Sequence, residues 1–144
     1  MVAIKTVNFL VIDDDDVDRE AVRRQFQKTN TSFLINESEN GTEALEFLRS
    51  KDQEYFINNP TVILLDLNMP KMGGIEFLKH IRNDSKLNKL IVFVMTTSDD
   101  ENDKYQFYNL NIAGYIVKEK LKKGVENTIL ILDTFWEIIE MPRY

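Results

Sequence analysis

The chain has 144 residues, no cysteine and a formal net charge of −6. It therefore carries no disulfide or zinc–thiolate site, and its net negative charge argues against a non-specific nucleic-acid surface. At this length a single domain, residues 1–144, can bury roughly 70% of the surface its unfolded form exposes. No apolar run approaches the ~20 residues that cross a bilayer. Met1-Val2-Ala3-Ile4-Lys5 lacks the apolar core of a secretory signal, so no membrane association is expected and the expected compartment is the cytoplasm.

The first predicted strand, about 6–12, ends in the unbroken apolar run Phe9-Leu10-Val11-Ile12 and meets Asp13-Asp14-Asp15-Asp16 directly. Such a run reads as a strand buried on both faces, as in parallel sheets covered by helices. A helix over about 17–29 follows. Asp15, Asp16 and Asp18 belong to the loop and the helix's first turn, where negative charge suits the dipole. A second strand falls at about 33–37, and Asn40-Gly41-Thr42 then supplies a turn and an N-cap for a helix at about 42–50. Ala44, Leu45 and Leu48 recur there at core spacing.

Residues 51–60 read as a long connection, with Tyr55, Phe56 and Ile57 covering the sheet edge. The run Thr61-Val62-Ile63-Leu64-Leu65 is a second fully buried strand, at about 61–66, and it too ends on a carboxylate, Asp66. Pro70 and Gly73-Gly74 delay the next helix to about 73–83, whose Ile75, Leu78 and Ile81 mark its buried stripe. A strand at about 90–96 stops at Thr96. A helix at about 100–109 carries Tyr105, Phe107 and Tyr108, and a strand at about 113–117 stops at Lys118. Lys118 to Lys123 holds four lysines and otherwise reads as a solvated helix entrance. In the last helix, about 124–140, Val125, Ile129, Leu132, Trp136 and Ile139 form one apolar stripe and Ile131, Phe135 and Ile138 a second beside it. So broad an arc suits either a deeply packed terminal helix or a surface for self-association.

Strands alternating with helices specify an α/β fold with a parallel sheet, and such sheets bind ligands at the carboxyl ends of their strands. If the two buried strands are neighbours, Asp13, Asp14 and Asp66 converge there. Mutual repulsion then raises their pKa values unless a cation sits among them. Hard oxygen donors of this kind suit magnesium, which would keep Asp66 ionised and clamp an incoming phosphoryl group. A carboxylate can be the nucleophile in such a transfer, giving an aspartyl-phosphate. The Thr96 hydroxyl and the Lys118 ammonium sit where each can meet a phosphoryl oxygen.

The ordered set Val-Ile-Asp13-Asp14, Leu-Leu-Asp66-Leu-Asn68-Met-Pro70, Met-Thr96-Thr and Gly-Tyr115-Ile-Val-Lys118 resembles the receiver domain of two-component response regulators, over about residues 6–140. The resemblance implies a flavodoxin-like, doubly wound five-stranded parallel sheet in the order 2-1-3-4-5 with five helices. It implies Asp66 as phosphoacceptor, and Mg2+ held by Asp14 directly, Asp13 mainly through water, Asp66, and the backbone carbonyl of Asn68. Thr96 and Tyr115 become a switch pair, and Lys118 a holder of a phosphoryl oxygen. Asn68 and Ser98 occupy positions that tune self-dephosphorylation.

The same resemblance implies a phosphoacceptor signalling domain, not an enzyme, fed by a sensor histidine kinase or phosphotransfer protein. Phosphorylation would shift the surface around the fourth predicted helix, the fifth strand and the last helix. With no effector domain expected after Met141-Pro142-Arg143-Tyr144, output falls to contact with a downstream protein target. The long connection and the apolar last helix are similar to single-domain regulators of the phytochrome-associated type, some of which pair as homodimers through that surface.

Two departures bear on the site. Glu119 follows Lys118 where the family has proline, and a cis bond there would cost about 2.5–4 kcal/mol, so the loop is either trans or strained. Thr97 replaces a customary alanine and narrows access to the phosphoryl group.

Rival readings account for fewer residues. Asp13-Asp14-Asp15-Asp16-Val17 fits the strand-plus-DxDxV pattern of haloacid-dehalogenase-like phosphatases, but leaves Asp66 without a role and lacks their later acidic pair. An EF-hand loop on Asp14, Asp16 and Asp18 would need glycine at Arg19 and glutamate at Gln25. A receiver-like module that no longer takes phosphate conflicts with the full set of site residues. His80, the only histidine, reads as an exposed helix residue.

Overall fold

A computed structural model describes residues 7–27, 33–67, 69, 71–96 and 107–119, with the side chains of Phe33 and Thr96 outside that description. Five strands, β1 (Val7–Ile12), β2 (Phe33–Ser38), β3 (Thr61–Asp66), β4 (Ile91–Thr96) and β5 (Gly114–Val117), form one sheet. Their order is β2-β1-β3-β4-β5, and every neighbouring pair is parallel. The strand limits lie within a residue of those expected from the apolar runs. β1 and β3 are buried at every position, as their unbroken apolar sequences require.

Alternate residues of the central strands feed two cores. Leu10, Ile12, Ile63, Leu65, Val92 and Val94 pack on one face against helix α2 (Gly41–Arg49), through Ala44, Leu45 and Leu48. A later helix, Gly74–Asn83, covers the same face with Phe77, Leu78 and Ile81. On the other face Phe9, Val11, Val62 and Leu64 meet helix α1 (Asp16–Gln27) through Val22 and Phe26, with the Phe9 and Phe26 rings 4.6 Å apart. Each such side chain, fully buried, contributes roughly 1.5–3 kcal/mol of transfer free energy.

Local chemistry sets the helix starts. Asp15 Oδ1 accepts from the amides of Val17 (2.9 Å) and Asp18 (3.4 Å), capping α1. Asn40 caps α2 by accepting from Glu43 N at 2.9 Å. Between α2 and β3 the expected featureless connection contains a short helix, α3 (Gln53–Asn58), capped by Asp52. Six residues are too few to display a helical period, so nothing but the cap marks α3 in the sequence. Phe56 drops into the core, Ile57 is half exposed, and the Tyr55 hydroxyl accepts from Asn8 at 3.2 Å. This aromatic pair therefore covers the start of the central strand β1 instead of a sheet edge.

The helix Gly74–Asn83, α4 here, begins late, as the glycines imply. Gly74 suits the close approach here, because a Cβ would lie 3.0 Å from the backbone oxygen of Asp66 and 3.2 Å from that of Leu67. Near the other end of α4, Arg82 donates to the carbonyls of Leu110, Asn88, Leu90 and Asn111 at 2.7–3.0 Å, tying α4 to the segments that enter β4 and β5. His80 is exposed, as expected. Most of the predicted helix at 100–109, including Tyr105, and all of that at 124–140, with its apolar stripes, lie outside the described residues. No helix among the described residues is long and apolar enough to cross a membrane.

Candidate functional site

Register brings the carboxylates together. Ile12 of β1 pairs with Leu65 of β3, so Asp13 emerges beside Asp66, while Asp66 itself pairs with Met95 of β4. Thr96 pairs with Val117, which puts Lys118 just beyond the end of β5 on the same rim of the sheet. Asp13, Asp14 and Asp66 each offer a carboxylate oxygen within 4.8 Å of the others. Asp13 and Asp66 are buried and Asp14 is exposed.

Lys118, only 6% exposed, reaches into this cluster. Its Nζ lies 2.7 Å from Asp13 Oδ2, 3.0 Å from Asp66 Oδ1 and 3.0 Å from Asp18 Oδ2. Burial alone would lower the ammonium's pKa. Hydrogen bonds to Asp13 and Asp18 and the charges of Asp66 and Asp13 outweigh it and hold the group above the ordinary lysine value. Asp66 moves the other way from a normal carboxylate. Burial, then the charge of Asp13, pushes it up to about 6, with Asp14 adding to the rise and Lys118 opposing it.

One ammonium does not satisfy the cluster. Asp13 Oδ1 accepts from Asp15 N at 3.0 Å, but among the described residues the buried Oδ2 meets only the Lys118 ammonium, at 2.7 Å and off the ideal hydrogen-bond angle, which leaves its acceptor capacity under-used. An under-satisfied buried oxygen, two further carboxylates and an Asp66 that resists ionisation together fit a divalent cation with oxygen ligands. Asp13, Asp14 and Asp66 would hold it. Bound there, it would supply positive charge that stabilises the ionised Asp66 against its acidic neighbours and offsets charge on a transferring group.

The other expected site residues divide. Thr96 closes β4, next to Val117 of β5. Tyr115 is half-buried on β5, its ring 5.3 Å from Tyr108 and 6.2 Å from Phe107. Asn68, Ser98 and Thr97 lie outside the described residues. No cis peptide bond occurs among the described residues, so the Lys118–Glu119 bond is trans.

Asp18 is the residue that a reading by helix dipole misses. It does lie in the first turn of α1, but it is 7% exposed and its carboxylate turns inward to Lys118. A signal was present: Val22 and Gln25 are buried on α1, and counting back four residues from Val22 along that stripe lands on Asp18.

Residues 9–129 match the model of the response regulator receiver domain. The chain belongs to that family. This receiver is 28% identical over 134 residues to the response regulator Rcp1 of Synechocystis, an alignment covering 92% of this chain and 91% of Rcp1. The Mn2+-bound crystal structure of Rcp1 superposes with a TM-score of 0.76 at 29% identity, covering 94% of this chain and 99% of the other. The phosphorylated cyanobacterial phytochrome response regulator RcpA gives a TM-score of 0.77 at 26% identity, covering 95% and 99%. The receiver is thus a signalling module of two-component systems with the flavodoxin-like fold. Receivers bind a divalent metal and accept phosphoryl groups from histidine kinases or phosphotransfer proteins.

Proposed function

We propose that this receiver takes a phosphoryl group on Asp66 from a sensor histidine kinase or phosphotransfer protein, with Mg2+ as the working cation. The observation that carries the reading is the Asp66 carboxylate at the end of β3, 3.0 Å from a buried ammonium and clustered with Asp13 and Asp14. In the transfer an Asp66 oxygen forms a bond to phosphorus as the bond from phosphorus to the donor's imidazole nitrogen breaks. The electron pair of that bond stays on the imidazole. Asp13, Asp14, Asp66 and the Asn68 carbonyl would hold the cation, and Lys118 and the Thr96 hydroxyl would donate to phosphoryl oxygens. Asn68 and Ser98 set the lifetime of the aspartyl-phosphate, whose slow hydrolysis is the only turnover the protein performs.

Phosphorylation adds roughly −1.5 to −2 charge at one point. Lys118 and Thr96 shift to meet it, and Tyr115 follows inward, altering the surface where Tyr108 stands 53% exposed. That surface addresses a downstream protein, and a homodimer through it and the last helix belongs to the same reading. The likeness to Rcp1 and RcpA supports a phytochrome-associated role, and a cytoplasmic compartment belongs to the same reading.

The test is incubation with Mg2+ and acetyl phosphate followed by intact mass. One added phosphoryl group is expected for the native chain and none for Asp66→Asn. No gain, or equal gain in the variant, refutes the assignment. Sedimentation over a concentration series, with and without beryllofluoride, tests pairing; a constant monomer in both states removes the dimer.

A further inference from the structure

Asp18 stands outside the metal-binding and phosphoacceptor roles, yet its carboxylate is directed at the same ammonium they use. It sits on α1, 100 residues from Lys118 in sequence, and its Oδ2 accepts from Nζ at 3.0 Å with both side chains almost wholly buried. A surface acid at a helix start needs no such partner. A third buried carboxylate beside Asp13 and Asp66 adds repulsion to a site already rich in it, so its place there calls for a compensating contact.

We propose that Asp18 is a positioning residue that anchors the Lys118 ammonium within reach of the phosphoryl site. The inference rests on the proposed chemistry at Asp66. An ammonium has three protons to donate and meets three carboxylates at 2.7–3.0 Å, from the ends of β1 and β3 and from α1. Two of the three, Asp13 and Asp66, change their commitments when a cation and a phosphoryl group arrive. Asp18 does not, because it belongs to neither set. It retains one proton of Lys118 while the others turn to phosphoryl oxygen. Without it the flexible four-carbon stem lets the charge wander between partners, and a misplacement of about 1 Å costs up to roughly a hundredfold in rate.

The rate of phosphoryl gain from acetyl phosphate and Mg2+ reads the effect. D18A is expected to slow phosphorylation roughly tenfold or more. D18N, whose amide oxygen still accepts from the ammonium, should recover part of that loss. Combining D18A with K118A should be no slower than K118A alone, since an anchor without its lysine has nothing to hold. Phosphorylation of D18A at the native rate, no recovery in D18N, or multiplied losses in the double variant would each overturn the proposal. Should D18A fail to fold, D18L, apolar and of similar size, takes its place with the same expectations.

A second measurement separates this proposal from the function it rests on. In spectra of 15N-lysine-labelled protein, an ammonium held by buried carboxylates exchanges its protons slowly. One protected signal, absent from K118A, should be lost or broadened in D18A and D18L. If the native chain takes no phosphoryl group, the function falls while this signal still reports the anchor. An unchanged signal in both Asp18 variants overturns the anchor whatever the chain's phosphorylation.

Discussion

The two ends of the β1–β3 pair are built from the same apolar runs and bury polar groups in opposite ways. At the starting end, Asn8, fully buried, accepts from Asn36 Nδ2 at 2.7 Å and donates to the Tyr55 hydroxyl at 3.2 Å, with Thr61 Oγ1 a long contact at 3.5 Å. Thr61 in turn donates to the Asn59 carbonyl at 2.8 Å. Each of these groups is neutral and partnered. At the finishing end, four carboxylates and one ammonium are gathered, the buried Asp13 Oδ2 is under-satisfied among the described residues, and Asp66 is held up to about 6. Neutral networks that satisfy themselves stabilise a fold; charged ones left short of a partner are where a ligand adds most.

Removing the lysine strains this contrast most. Lys118→Met leaves buried carboxylates uncompensated and is expected to cost about 3–5 kcal/mol in urea unfolding at neutral pH without metal. Added Mg2+ should return part of it. A loss below about 1 kcal/mol would mean that the charged end is as self-sufficient as the neutral one.

Acidity gives the next largest effect. Asp66 has its pKa raised from 3.8 to about 6, so the folded chain binds its proton more tightly than the unfolded one. Its contribution is therefore a destabilisation that is full above about pH 6 and is relieved as pH falls toward about 4. The gap corresponds to up to about 3 kcal/mol. Lys118, raised above its ordinary value, contributes stability already complete at these pH values and does not alter the slope. In chelator-containing buffer, Asp66→Asn should exceed the native chain in melting temperature at pH 7, with the difference shrinking toward pH 4. Equal melting temperatures across that range would contradict the raised pKa.

The smallest effect belongs to the neutral end. Tyr55→Phe removes the hydroxyl that accepts from Asn8 and should cost about 1 kcal/mol, independent of pH and Mg2+ between about pH 5 and 8. Its phosphorylation rate should match the native chain's. A slowed rate would show that the two ends of the pair are mechanically coupled.

Much of the fold and of the reactive rim is legible in the order of residues. Unbroken apolar runs mark β1 and β3, strand-helix alternation marks the parallel sheet, and carboxylates closing those runs mark the rim. Other features escape such a reading. The α3 helix is shorter than two turns and depends on the Asp52 cap and the burial of Phe56. Asn8 reads as a mere interruption at a strand start until Tyr55 and Asn36 are brought to it.

Side-chain period and turn chemistry are local properties, so the amino-acid order alone assigned residues to the five strands and to α1, α2 and α4, though not to α3. It also placed Asp13, Asp14, Asp66, Thr96 and Lys118 at strand ends. Which charges touch was left to the packing of the whole chain. Parallel register levels Asp13 with Asp66, and the docking of α1 on the sheet turns Asp18 toward Lys118. Such partnerships join residues far apart in the chain, and burial makes their energies large enough to matter. The apolar stripe of α1 marks the face on which Asp18 lies, but no local pattern names Lys118 as its partner.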